Sequence, residues 1–554
     1  MNRTQPPASL PVRDVEIGRM RLSDGVELVA DIWRPAAAGR FPVLLMRQPY
    51  GRRIASTLVY AHPAWYCAQG YIVVIQDVRG TGDSGGTFRL LEDDAADGRE
   101  AVEWAAGLPG SCGAVGMYGF SYQGTNQLLA LAAGAPVKAL APAMIGWTMG
   151  TDWAWENGAF CLAANVGWAL QMAALQARRA GDGPAYAALK AASGAPPLSG
   201  PVPARPEILE RHAGWTHYRD WIDHKPPAPY WDRIAPAAAL ADRPEFRAVP
   251  MLHIGGWFDG MLAGTLGGYR ALAGDAADHR LIVGPWTHVP WGRVVGAFDL
   301  GGEAASPVDR AQIAFFDRHL KGIADDGAAK VRLFDLAAQR WRTLSAFPES
   351  ASESWFLASG GLAATGPSSG RLARAPERAA SDRIVQDPWR PAPSLGGHAA
   401  PLAGMRDRAA VDARADVATY TSAPLAAPLP LAGPVELELH IESDAASFDV
   451  EAVLSIVRPD GVVLNLTQGY ASVAAAAARP LRLDMRATCA TVPAGFALRL
   501  SIAGASFPAY PVNPGTGTLP TEASLLEQRP VTIAVLSGTA APSAIALPIL
   551  APSS

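Results

Sequence analysis

The chain has 554 residues, 49% of them hydrophobic and 18% charged, and a formal net charge of −4. That length exceeds one hydrophobic core and predicts three or four domains, while the apolar content excludes wholesale disorder. With no block of lysines or arginines, the charge excludes the footprint of nucleic-acid binding or of an acidic membrane surface.

The first residues, MNRTQPPASLPVRD, lack the apolar core of a secretory signal, and no apolar run approaches membrane-spanning length. Cys67, Cys112, Cys161 and Cys489 are scattered, without C-x-x-C or metal-ligand spacing. They are expected as reduced core cysteines of a cytoplasmic protein, with pairing of two of them left open.

From Val12 to about Met144, short apolar runs alternate with helical patterns. Pro42–Met46 and Tyr71–Ile75 read as buried strands, Asp93–Leu108 as a helix with acidic residues in its first turn, Gly116–Phe120 as a strand, and Tyr122–Ala133 as a helix. Such alternation predicts a parallel sheet covered by helices. Residues 151–247 are rich in alanine and tryptophan and poor in strand signals, which predicts a helical insertion. The strand pattern resumes at Val249–Ile254 and Arg280–Val283 and closes with a helix over Val308–Leu320. The sheet domain is therefore expected to be split, 1–150 and 248–345, around a cap at 151–247. Beyond 345, alternating runs such as Val435–Ile441 and turns such as Pro459-Asp460-Gly461 predict an all-β sandwich of jelly-roll type over 346–554. Its alanine-rich stretch Ala474–Ala478 is expected as a loop.

Ser121 lies in Gly119-Phe120-Ser121-Tyr122-Gln123-Gly124, between a strand-like and a helix-like segment. A serine on such a turn is presented as a nucleophile, although the second glycine falls one position later than in G-x-S-x-G. The hydroxyl needs a base, and the base a carboxylate to hold its tautomer. Two later strand ends supply them, Asp259 in Gly255–Gly260 and His288 in Gly284–His288, in the chain order of sheet hydrolases. Taken alone, an aspartate before glycine such as Asp259 is usually a turn former and a lone histidine after a strand such as His288 more often a loop residue; their order and common position at strand ends favour the joint reading. For the oxyanion, the N–H of Tyr122 is the expected first donor. The Tyr50 hydroxyl, in Arg47–Gly51, is a candidate second donor or a residue that merely packs. Asp77–Gly85 lacks the third glycine of a dinucleotide loop and reads as structural, with Ser84 as a rival nucleophile lacking an elbow. His253 reads as a core histidine, and Glu92, Asp93, Asp94 and Asp97 as a solvated helix start. No cofactor or metal is called for.

These motifs resemble the cocaine esterase and X-Pro dipeptidyl-peptidase family of serine hydrolases nearly end to end. The resemblance rests on Arg47–Gly51, Gln76–Gly80, Gly119–Gly124, Gly255–Gly260, Gly284–His288, Phe315–Gly322, Pro459–Gly461 and Ser506–Tyr510. It implies an α/β hydrolase core with an inserted helical cap and a C-terminal jelly-roll sandwich. It further implies Ser121 as nucleophile, His288 as base, Asp259 as orienting acid, and Tyr50 with Tyr122 as the oxyanion hole. Trp153 and Trp168 fit an acyl-pocket pair known in the family's esterases, or else are helix-packing aromatics. Met261 replaces an aromatic that those esterases set against the substrate, and Gly260–Ala263 lacks the carboxylates that hold an ammonium in the amino acid ester hydrolases. The family's usual arginine-bearing strand after P-D-G becomes Gly469-Tyr470-Ala471-Ser472, and Val512-Asn513 stands where Arg-Asn is common, which bears on the pocket's far wall or on domain docking. The expected substrate is a small-molecule ester with an apolar or aromatic acyl group, the alternative an amide or peptide. A homo-oligomer is compatible with the sequence.

Overall fold

The computed structural model of the chain describes residues 9–54, 56–324, 327, 329–349, 353–474 and 480–550. Its first layer is a ten-stranded sheet. The strands are β1 (Glu16–Arg21), β2 (Glu27–Trp33), β3 (Phe41–Gln48), β4 (Ile72–Asp77), β5 (Ser111–Phe120) and β6 (Ala139–Ala143). After the cap hairpin β7 (Trp155–Glu156) and β8 (Ala159–Phe160) come β9 (Met251–Phe258) and β10 (His279–Thr287). A small hairpin, β11 (Val294–Val295) and β12 (Phe298–Asp299), precedes β13 (Val331–Asp335) and β14 (Arg340–Leu344). Their order is β1-β2-β4-β3-β5-β6-β9-β10-β13-β14. From β4 through β13 every neighbouring pair is parallel, so β3, β5, β9 and β10 all end on one edge.

Along β3 the two faces are filled by different neighbours. Val43 and Leu45 point into one apolar cluster, and Leu44 and Met46 into another. A strand buried on both faces must be apolar at every position, which is why these runs are continuous rather than alternating. The first cluster lies under α2 (Asp94–Ala106) and α3 (Tyr122–Ala132), the second under α1 (Pro63–Ala68) and α11 (Val308–Lys321). Gly116 lets α11 seat, since a Cβ there would lie 2.8 Å from the Phe316 ring.

Between β6 and β9 stands the cap. It carries α4 (Leu162–Arg179) and α5 (Gly183–Gly194), then the shorter α6 (Glu207–Arg211), α7 (Tyr218–Asp223), α8 (Pro229–Asp232) and α9 (Pro236–Leu240). Its own cluster includes Leu170, Leu189, Trp221 and Trp231, and reaches down to Tyr122 and Leu129 of the sheet domain. The helix α10 (Leu262–Leu272) then follows β9.

The C-terminal part is an all-β sandwich: β15 (Glu353–Ser359), β16 (Gly370–Ala373), β17 (Ala380–Gln386), β18 (Val417–Thr421), β19 (Leu429–Ser443), β20 (Ser447–Val457), β21 (Val463–Ala474), β22 (Leu481–Val492), β23 (Ala497–Ala503), β24 (Val531–Ser537) and β25 (Ala544–Leu547). Its core does not stop at the domain border. One cluster runs from Trp257, Leu281 and Leu333 of the hydrolase sheet to Trp355, Leu437 and Leu483 of the sandwich. Hydrogen bonds seal the junction, with Leu336 N–H donating to Cys489 O (2.8 Å) and Thr491 N–H to the Asp335 side-chain oxygen Oδ1 (2.8 Å).

Three expectations need adjustment. Ala474 ends β21 rather than lying in a loop, and the rest of that alanine run, 475–478, lies outside the described residues. The cysteines are free, but only Cys67 and Cys489 are fully buried; Cys112 is exposed, because it follows the first residue of β5 at the sheet's rim. Asp94 and Asp97 are not solvated. Each is 3% exposed, Asp94 against Arg47 and Asp97 against Arg79, at 2.7 Å in both pairs. Among the described residues no helix is long and apolar enough to cross a membrane.

Candidate active site

At the end of β5 the backbone turns sharply. Ser121 has φ +61°, ψ −125°, and its N–H is tied to Ala143 O at 2.9 Å. A left-handed non-glycine residue is costly and persists only where its surroundings hold it. Here β6 holds one side and α3 the other, with Thr125 N–H donating to Ser121 O at 2.9 Å. The displaced glycine has a steric cause. A Cβ on Gly124 would fall 2.6 Å from Ala143 O, so α3 can lie against β6 only with glycine there. The position that usually carries the glycine is Gln123, which is buried and donates to Ser56 Oγ (2.7 Å).

Asp259 and His288 immediately follow the adjacent strands β9 and β10, and they meet: His288 Nδ1 is 2.7 Å from Asp259 Oδ1. Asp259 is wholly buried while the His288 side chain is 39% exposed, so the pair has one dry and one open end. A proton held on Nδ1 by the carboxylate leaves Nε2 as the basic nitrogen. The imidazole packs against Phe120, the residue before Ser121, with ring centroids 5.4 Å apart. Behind it Trp291 donates its indole N–H to His288 O (3.0 Å) and stacks on Trp286. Trp291 was not singled out in the sequence, though it stands three residues after His288.

Tyr50 follows β3 on the same edge. Its hydroxyl accepts from Trp168 Nε1 at 3.2 Å. Burial pushes the phenol up to about 12, partly offset by hydrogen bonding to Trp168 and Ser121, so it is a neutral donor at ordinary pH. The N–H of Tyr122 opens α3 and is one of the groups a helix leaves without an internal acceptor. The Tyr122 phenol donates to Asp94 Oδ2, and Asp94 Oδ1 is gripped by Arg47 Nη1 (2.7 Å). Arg47 is part of the segment that carries Tyr50. One buried ion pair thus links the two candidate oxyanion donors. Spacing did not reveal it, because the partners come from three separate stretches of chain.

Trp153 lies in a short π-helical turn, Gly150–Ala154, and Trp168 in α4. Their rings meet edge to face at 5.5 Å, and Trp168 stacks on Trp221 at 5.1 Å. Both are half-buried, as is Met261 at the head of α10, two residues beyond Asp259. Ser84 is fixed by backbone, donating to Asp77 O (2.8 Å) and accepting from Val29 N–H (2.9 Å). His253 is fully buried, and burial holds it neutral with a pKa of about 3.

Farther out, Glu156 of β7 meets three sandwich groups. Oε2 takes Tyr510 Oη and His398 Nε2 at 2.7 Å each and Arg486 Nη2 at 3.2 Å. Nearby, Tyr470 stacks on Tyr510 at 3.9 Å and donates to Asp449 Oδ2 (2.7 Å), whose other oxygen takes Asn513 Nδ2 (2.7 Å).

A sharp serine turn over parallel strands, a covering cap and a His–Asp pair at neighbouring strand ends define an α/β hydrolase with a C-terminal β domain. The X-Pro dipeptidyl-peptidase (S15 family) model matches residues 24–290, and the X-Pro dipeptidyl-peptidase C-terminal non-catalytic domain matches residues 324–545. The cocaine esterase of Rhodococcus sp. (strain MB1 Bresler) is 32% identical over 566 aligned residues, covering 96% of this chain and 97% of that protein. The chain belongs to the cocaine esterase and X-Pro dipeptidyl-peptidase family of serine hydrolases. Its fold is shared with an aminopeptidase from a marine sediment archaeon, Thaumarchaeota archaeon (TM-score 0.80, 23% identity, 100% and 99% of the two chains). An α-amino acid ester hydrolase is also similar (TM-score 0.78, 21% identity, 99% and 98%).

Proposed function

We propose that this serine hydrolase is a carboxylic esterase acting through Ser121, His288 and Asp259. The observation that carries the reading is the 2.7 Å bond from His288 Nδ1 to buried Asp259, at strand ends next to the serine turn. His288 Nε2 takes the Ser121 proton as Oγ attacks the ester carbonyl. The carbonyl oxygen becomes an oxyanion received by Tyr50 Oη–H and Tyr122 N–H. Collapse breaks the bond to the alcohol, which leaves with the proton from the imidazolium and yields an acyl-enzyme. Water, activated by the same histidine, adds to the acyl carbon and releases the acid with Ser121 restored.

An apolar or aromatic acyl group fits the surfaces of Trp153, Trp168 and Met261. An α-amino acyl group is disfavoured because Gly260–Ala263, directly after Asp259, brings no carboxylate for its ammonium, and Glu156 of the cap is already opposed by Arg486 and His398. The test is labelling by a fluorophosphonate, mapped by mass spectrometry, beside turnover of an aryl ester and the matching anilide. Labelling at Ser121 and a loss of about 10⁴–10⁶ in kcat for Ser121→Ala are expected. Labelling elsewhere, or retained turnover, would sink the assignment, and faster cleavage of the anilide would make the protein an amidase.

A further inference from the structure

We propose that Trp168 is a positioning residue for the reaction, its indole N–H orienting the Tyr50 hydroxyl so that the phenol's own proton faces the reacting carbonyl. The inference rests on the oxyanion role given to Tyr50 above and assigns Trp168 a task beyond lining an acyl pocket.

The argument is one of donors and acceptors. An indole nitrogen only donates, whereas a phenol has one proton to give and lone pairs to receive. In the 3.2 Å contact the direction is therefore fixed: Trp168 donates and Tyr50 accepts. With that lone pair taken, the Tyr50 proton cannot point at Trp168 and is left for another acceptor, on an edge where Tyr50 and Ser121 follow the ends of the paired parallel strands β3 and β5. The hydroxyl rotor, which would otherwise sample several directions, is set before substrate arrives. Pre-set donors are effective because they need no reorganisation as charge develops.

Trp168 is itself held. Its ring is sandwiched edge-on by Trp153 and face-on by Trp221, and Trp221 is only 2% exposed. The indole comes from α4 of the cap, while Tyr50 and Ser121 come from the sheet domain. The oxyanion hole is thus completed across the domain boundary, and a displaced cap would leave the chemistry intact in composition but disordered at one donor.

The test is a double-mutant cycle. Trp168→Phe keeps an aromatic face on Trp221 and removes only the N–H, and Tyr50→Phe removes the group it acts through. Trp168→Phe should lower kcat about tenfold, the effect of one neutral hydrogen bond, with KM changed less than about twofold. In the Tyr50→Phe background the same substitution should change kcat less than about twofold. Affinity for an aryl boronic acid, which forms a tetrahedral adduct on Ser121, should follow the same cycle and reads the site even where turnover is too slow to measure. Equal losses in both backgrounds, or an effect confined to KM, would overturn the positioning role while leaving the oxyanion hole standing. An unchanged kcat for Tyr50→Phe would overturn both.

Discussion

Replacing Glu156 by glutamine tests whether charge clamps the cap to the sandwich. The carboxylate is 3% exposed. Burial works against its charge, yet Arg486, His398 and Tyr510 more than offset that and hold it at about 2, against an ordinary 4.5. That difference corresponds to about 3 kcal/mol, in line with the 3–5 kcal/mol expected when one partner of a buried pair is removed. The sign follows from the lowered value: the stabilisation is whole above pH 4.5 and disappears as pH falls through 2. Urea unfolding of parent and Glu156→Gln should differ by about 3 kcal/mol at pH 7, with about half of that gone by pH 3. Adding Arg486→Met should recover part of the loss, since the orphaned guanidinium goes with it. A gap that is the same at pH 7 and pH 3, or no gap at all, would refute the electrostatic account.

Asp449 should behave in the opposite sense. Burial lifts it to about 6 despite the Tyr470 and Asn513 donors, so its contribution is best below pH 3.8 and is lost as pH rises through 6. Asp449→Asn should therefore gain about 3 kcal/mol relative to the parent between pH 4 and pH 7, read from urea midpoints; a constant difference would contradict it. Two glycines separate strain from collision. Gly110 (φ +78°) has nothing within 4 Å of a new Cβ, whereas at Gly80 (φ +69°) it would fall 2.0 Å from Phe88 N. Gly110→Ala should cost about 1 kcal/mol and Gly80→Ala several times more, with thermal midpoints as the check; equal costs would mean the Asp77–Gly85 loop yields freely.

Strands β3, β4, β9 and β10 were legible because burial on two faces writes an unbroken apolar run into the sequence. The strand β6, Ala-Leu-Ala-Pro-Ala, was not singled out, since alanine and proline carry little strand signal. In the sandwich, β20 and β21 bury Asp449, Glu451, Asn465 and Gln468, which breaks the alternation that marks a half-buried strand. Ser121, Asp259 and His288 could be singled out because each follows a strand with glycines nearby. Their supports could not. The buried state of Asp94 depends on Arg47, 47 residues away, and the orientation of Tyr50 on Trp168, 118 residues away. Residue types announce candidates; only the fold decides which distant partner neutralises or orients them.

The apolar cluster that passes from Trp257 and Leu333 into Leu437 and Leu483 makes the two modules one folding unit in practice. A chain cut near residue 345 would lay bare valine, leucine and phenylalanine side chains on both halves, so each fragment would tend to clump with its own kind. Recombination could not graft this sandwich onto another hydrolase without remaking that seam. A substitution on one side of that seam therefore constrains which side chains the other side can accept.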